Sequence, residues 1–190
     1  MHLIRTLTFA SALVGLTATP WAHAEQKVVP TQSEIAFTAK QMGVPLEGRF
    51  KKFDAQIDFN PAKPDASKIA FSIDTGSATV GAAESDAELP KAPWFNVAKF
   101  PQASFQSSTV KGLGAGKFEV AGKLTIKGTV RDVVVPVTLT QSGPTTMAVG
   151  SFGLKRLAFK IGDGEWSDTS MVADDVTVRF KLALTGVGKL

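Results

Sequence analysis

The chain has 190 residues, a formal charge of +4 and no cysteine, and both of its histidines, His2 and His23, fall within the first 24 residues. Residues 25–190 therefore hold no His, Cys or Tyr. That excludes Ser-His-Asp and Cys-His nucleophile sites and removes the nitrogen and sulfur ligands of zinc, copper and iron–sulfur centres. Basic residues are scattered with no dense Lys/Arg run, so nucleic acid is not an expected partner, while transient contact with an anionic membrane surface is compatible with the charge.

Taken in chain order, the first element reads as a secretory leader. Arg5 supplies the positive start, Leu7 to Leu16 is an apolar run too short to span a bilayer, Pro20 breaks it, and Ala22-His23-Ala24 is a small-x-small cleavage site. Cleavage after Ala24 is expected, delivering residues 25–190 to the periplasm as one domain with a formal charge of +3. No Cys follows the apolar run, so a lipoprotein anchor is not expected.

From there the pattern is period two, the signature of strands. Ile35, Phe37 and Ala39 share one face; then Val44, Leu46, Gly48 and Phe50 occupy even positions. The apolar set switches to odd positions at Phe53, Ala55, Ile57 and Phe59, which predicts a β-bulge at Lys51-Lys52 bending one long strand. Asn60 to Ser67 reads as a turn, and Ile69, Phe71 and Ile73 resume the alternation. Ala82 to Leu89 predicts a short helix, stopped by Pro90 and Pro93 and followed by the aromatic cluster Trp94, Phe95 and Phe100.

Phe105 opens the next strand, and Lys111 to Lys117 reads as a hairpin loop. Phe118, Val120, Gly122, Leu124 and Ile126 face one way, with Glu119, Lys123, Thr125 and Lys127 opposite. Val133 to Leu139 forms a strand whose Pro136 belongs at an edge or bulge. Met147 to Arg156 follows, Leu157, Phe159 and Ile161 carry a switched parity onward, and Val176 to Leu184 is the clearest amphipathic strand. About eight strands with one helical insertion predict an all-β, antiparallel barrel or sandwich. An eight-stranded barrel is wide enough for its own side chains or one elongated ligand.

The chain resembles the YceI-like family over all of residues 25–190. The resemblance rests on Ser33-x-Ile35-x-Phe37, Gly48-x-Phe50-x-x-Phe53-x-x-x-Ile57-x-Phe59 and Ser85-Asp86 before Leu89. It continues through Trp94-Phe95, Phe100-Pro101, Phe105, Gly122-x-Leu124-Thr125-Ile126-x-Gly128, Arg156-x-x-Phe159-x-Ile161-Gly162 and Asp174-Asp175-Val176. It implies a lipocalin-like, extended eight-stranded β-barrel whose bore holds a long apolar chain, typically polyisoprenoid, with no enzyme activity and no cofactor. One departure is Ser85, where the family often has Arg.

Residues 25–190 hold twelve Phe and two Trp. Core packing accounts for most of the Phe. The functional reading is that a subset lines a dry bore, for which the candidates are Phe37, Phe50, Phe53, Ile57, Phe59, Phe71, Phe105, Leu124, Ile126, Phe152 and Phe159. Alternation does not say which face is bore. Trp94 and Phe95 are read either as a cap packed on the barrel end or as a mouth that opens or rests on a membrane. Trp166 lies in a Gly-rich loop, as a rim element or an anchored ring. Arg156 is read as a surface or bulge arginine in a salt bridge with Asp168 or Asp174, or as a contact to an anionic or carbonyl head group.

The expected function is periplasmic binding and carriage of an isoprenoid (quinone or polyprenyl phosphate) or similar amphiphilic lipid. The alternative is a protein-interaction module of an envelope or respiratory complex without lipid cargo. A carboxylate hydrolase built from Asp163, Glu165, Asp168, Asp174 and Asp175 is less favoured than solvated loop acids, and their spacing matches no calcium loop. An outer-membrane barrel fits poorly, for want of aromatic girdles. A homodimer through a strand edge stays open.

Overall fold

The computed structural model describes residues 25–190, so the expected leader, 1–24, lies outside the described residues. The strands are β1 (Lys27–Val28), β2 (Glu34–Gln41), β3 (Val44–Phe50), β4 (Phe53–Asp58), β5 (Lys68–Asp74) and β6 (Ala78–Thr79). Helix α1 (Ala83–Glu88) intervenes, and β7 (Gln102–Gly114), β8 (Lys117–Ile126), β9 (Thr129–Ser142), β10 (Thr145–Lys155) and β11 (Asp175–Thr185) complete the fold. They form one sheet in the order β4-β5-β7-β8-β9-β10-β11-β2-β3-β6, with β1 added to β11, and every pairing is antiparallel.

The parity switch at Lys51-Lys52 is what turns this sheet into a barrel. β3 pairs with β2 while β4 pairs with β5, yet only Lys51 and Lys52 separate them. They are two halves of one bent strand, which brings the two ends of the sheet order together. The donors freed at the bend are met by Ser77, whose carbonyl accepts from Lys51 N and whose Oγ accepts from Lys52 N. Eleven strands therefore make the eight walls expected, because β3 and β4 share one wall and β1 and β6 are two-residue pieces. The alternating apolar faces point inward, as in β8, where Phe118, Val120, Leu124 and Ile126 are buried.

Several local expectations are corrected. The glycines of 111–117 do not make a loop: β7 runs through to Gly114, absorbing register shifts at Ser107/Thr109 and Gly112/Gly114, and only Ala115-Gly116 turns, both at positive φ. Leu157 to Ile161 does not continue a strand. Arg156–Phe159 is a 3-10 turn ended by Lys160 at φ 59°, because the chain wraps around the Arg156 side chain. Pro136 lies in β9, between β8 and β10, but the β9–β10 ladder stops at Val137–Gly150, so its missing N–H falls on a locally free edge.

The barrel ends differ. At the floor, Phe59 and Phe118 meet edge to face with centroids 5.1 Å apart, beside buried Val187. At the opposite end lie the two long connections, 75–101 and 156–174, and the turn between β2 and β3.

Candidate functional site

Inside the barrel lies a cavity of about 180 Å³ whose lining residues are all apolar and none exposed. It extends from Ile57, Phe59, Ile69 and Phe71 past Phe105 and Leu124 to Phe50, Phe95 and Phe152. A second space of about 180 Å³ shares Phe50, Phe95, Ile126, Leu154 and Val178 with the first and adds Phe37, Leu46, Trp94 and Val176. Its lining also reaches Gln41 and Ser85, which are exposed, so this end is the mouth. Apolar cavities of ~150 Å³ stay dry and accept apolar guests, so the pair is large and greasy enough to do the same.

Two glycines keep the wall thin where aromatic rings need room. Gly48 is the cross-strand partner of Phe37, and a Cβ there would lie 2.2 Å from Phe37 Cζ. Gly150 is the partner of Phe180, and a Cβ there would lie 2.3 Å from Phe180 Cζ and 2.6 Å from the Pro136 carbonyl oxygen. Each ring fills the space over its glycine, so it packs against the wall and leaves the bore open.

Most of the expected lining residues meet here. Phe50, Ile57, Phe59, Phe71, Phe95, Phe105, Leu124, Ile126 and Phe152 line the inner cavity, and Phe37 and Trp94 the mouth. Two do not. Phe53 packs at the strand bend beside a separate outer hollow with Lys51 and Lys52, because it is the first residue after the parity switch. Phe159 is 2% exposed and belongs to the buried cluster at the capped end, against which Val133, Phe152 and Leu154 pack. Alternation did not single out Leu46, Leu154, Val176, Val178 and Phe180 as lining, because it groups the residues of one face without saying how far along the strand the cavity reaches.

Arg156 is neither on the surface nor in a salt bridge. It is 2% exposed, and all five of its N–H groups donate to backbone carbonyls: Nε to Ala173 at 3.1 Å, Nη1 to Ile161 and Gly162 at 2.9 and 2.6 Å, and Nη2 to Trp166 and Val172, both at 2.7 Å. No donor is left for a ligand head. Its fork instead shapes the 156–174 connection, and a Cβ on Gly162 would lie 2.3 Å from Nη1. Burial weakens its hold on the proton, opposed by the Asp174 charge, but a guanidinium stays charged.

Lys127 is a second buried cation, 8% exposed, that the alternation had set facing outward with Lys123. At φ 49° in the β8–β9 turn its Nζ donates to the carbonyls of Pro93 and Lys160 and contacts Asp163 at 3.3 Å. It thereby ties the two long connections together. The strand pattern carried no signal for this, since the left-handed turn redirects the side chain.

Trp94 and Phe95 form a cap rather than an exposed surface: Phe95 is buried, and Trp94 tilts against Trp166 with centroids 5.4 Å apart. Trp94 Nε1 is the one buried side-chain nitrogen or oxygen without a hydrogen-bond partner among the described residues. Asp86 fastens α1 to β6, accepting from Val80 N at 2.7 Å and Thr79 Oγ1 at 2.5 Å; these bonds, the Thr79 hydroxyl first, hold its carboxyl below the usual carboxylate range. The C-terminal acids do not converge. Asp163 meets Lys127, Asp168 accepts from Ser170, Asp174 from Leu157 N, and Asp175 pairs with Lys155. Among the described residues no His, Cys, Asp or Glu trio is grouped to hold a metal.

This architecture recurs in known proteins. Burkholderia cenocepacia BcnA superposes with a TM-score of 0.80 at 43% identity, over 82% of this chain and 98% of that one. A polyisoprenoid-binding domain from Saccharophagus degradans superposes at 0.69 over 86% of this chain and 99% of that one, at 16% identity a likeness of fold alone. Protein YceI of Salmonella agona is 35% identical over 137 residues, covering 72% of this chain and 71% of that protein. The YceI-like domain model matches residues 26–184. With that match across nearly the whole described barrel, the chain belongs to the YceI-like family.

Proposed function

We propose that this protein is a lipid carrier that holds the tail of a long-chain isoprenoid, or a similar amphiphile, in the barrel. The observation that carries this reading is the apolar cavity, closed at the Phe59–Phe118 floor and reaching the surface between Gln41 and Ser85. Each buried CH₂ contributes about 0.8 kcal/mol, so a long tail binds without any hydrogen bond, less the chain freedom lost on binding. The polyisoprenoid-binding Saccharophagus degradans domain, sharing the fold, supports the same cargo class. The leader signals of residues 1–24 support a periplasmic workplace for one domain of residues 25–190. We assign no enzymatic step and no cofactor.

The polar end of the cargo belongs at the mouth. Trp94 lines it and has a buried Nε1 without a partner, while the charged lining residues are Glu88 and the fully engaged Arg156. A neutral head bearing an acceptor oxygen, as in a quinone, suits this better than a phosphate. Ser85, exposed at the mouth, supplies no cation there.

The test is native mass spectrometry of protein purified from periplasm without detergent, with extraction of any bound lipid. Stoichiometric isoprenoid establishes the carrier. A clean apo mass with no uptake of ubiquinone or polyprenyl phosphate transfers the function to protein interaction. The Ala148→Phe variant, which puts a ring into the cavity, is expected to fold and lose the cargo.

A further inference from the structure

The rim of the mouth carries three large apolar side chains that the fold does not use. Met42 is 70% exposed, Val44 65% and Met171 45%. Met42 N donates to the Met171 carbonyl at 2.8 Å, Ala173 N donates to the Lys40 carbonyl at 2.9 Å, and Gln41 bridges Val172. The β2–β3 turn and the 168–173 loop are thus one backbone-bonded unit, from which Met42 and Met171 project. Gln41 and Val172, their immediate neighbours, line the mouth.

Met42 also sits where its residue type is unfavourable. Met42 and Gly43 have φ 48° and 79°, the left-handed pair of a tight hairpin turn that favours Asn or Gly first. Neither packing nor backbone chemistry explains a methionine at that position. A partner that takes up its side chain does.

We infer that this tip, Met42, Val44 and Met171, dips into the surface of a lipid bilayer during cargo exchange. The inference rests on the carrier reading above: a tail insoluble in water must pass from membrane to mouth without crossing it, and this rim borders the mouth. A bilayer suits the tip better than a protein partner. Three side chains on a turn fall far short of the ~800 Å² per partner of a stable protein interface, whereas unbranched, adaptable Met and short Val enter the headgroup boundary readily. The drive is apolar rather than electrostatic. In the chain the tip is flanked by one exposed lysine, Lys40, and by Asp168, whose carboxylate accepts from Ser170.

The chain has no cysteine, so a single Cys is a clean reporter site. Met42→Cys carrying an environment-sensitive fluorophore is mixed with phosphatidylcholine vesicles, alongside Ala115→Cys at the floor-end hairpin. The position-42 probe should shift blue with lipid, the position-115 probe should not, and high salt should not reverse the shift. In unlabelled protein, Met42→Ser/Val44→Ser/Met171→Ser should weaken vesicle co-sedimentation at least tenfold, since burial of one such side chain is worth roughly a factor of ten. The same variant should bind ubiquinone presented in detergent as the parent does. A blue shift at both positions or at neither, unchanged co-sedimentation of the triple variant, or a position-42 response that follows protein concentration without lipid overturns the inference. Failure of both proteins to take cargo from detergent instead overturns the carrier reading.

Discussion

Replacing Arg156 tests whether a single side chain builds the cap over the bore. In Arg156→Lys the charge stays, but an ammonium has three donors for the five carbonyls that the guanidinium serves. Two buried carbonyls are left unmet, at about 1–3 kcal/mol each, so the expected loss is about 2–6 kcal/mol. In Arg156→Met all five are orphaned, a nominal cost comparable with the whole stability of a domain, about 5–15 kcal/mol. The cheaper response is for the 156–174 connection to detach and hydrate while the sheet stays folded. Trp94 and Trp166, the two tryptophans of residues 25–190, both sit in the cap and report on it by fluorescence, while far-UV circular dichroism reports on the strands. In urea the two signals should coincide for the parent chain. For Arg156→Met the fluorescence transition should come first, with the strand signal following later. The reasoning is refuted if Arg156→Lys stays within about 0.5 kcal/mol of the parent, the range of an ordinary surface substitution, and Arg156→Met melts in one coincident step.

Other consequences follow from the same geometry. Lys127→Met removes the donor shared by Pro93 and Lys160, so the amides of Gly162 and Asp163, which donate to Pro93, should exchange hydrogen faster than in the parent while those of β8 do not. Asp86 is held below its ordinary pKa by Thr79 and Val80, so its contribution to docking α1 is complete above about pH 4, the free-Asp value, and fades as pH falls through the lower folded value. Trp fluorescence titrated in acid should show that loosening in the parent, and Asp86→Asn, loosened already at neutral pH, should lack the step. Gly48→Ala forces the Phe37 ring off the wall toward the mouth, and equilibrium titration should find weaker cargo binding without loss of the strand signal.

Local rules made the walls legible. Period-two alternation identifies strands without reference to partners, and the parity switch between Phe50 and Phe53 announced the bend, because a one-residue slip within a strand turns every following side chain over. Composition alone removed the cysteine chemistries, and residues 25–190 hold no histidine. Three-dimensional pairing decided the rest. That β3 and β4 close the barrel depends on partners in β2 and β5, which no local pattern names. That Phe105 lines the bore while Phe159 does not depends on the chain leaving the sheet at Arg156–Phe159. Arg156 and Lys127 look in sequence like surface cations, since a charge is expected in water; they are buried because distant backbone carbonyls, left over by two irregular connections, converge on them in the folded chain. The residue types and the alternation thus set a greasy-faced antiparallel barrel, and only the tertiary structure decided which face is cavity, which end opens and what caps it, because those are properties of closure and packing rather than of any one segment.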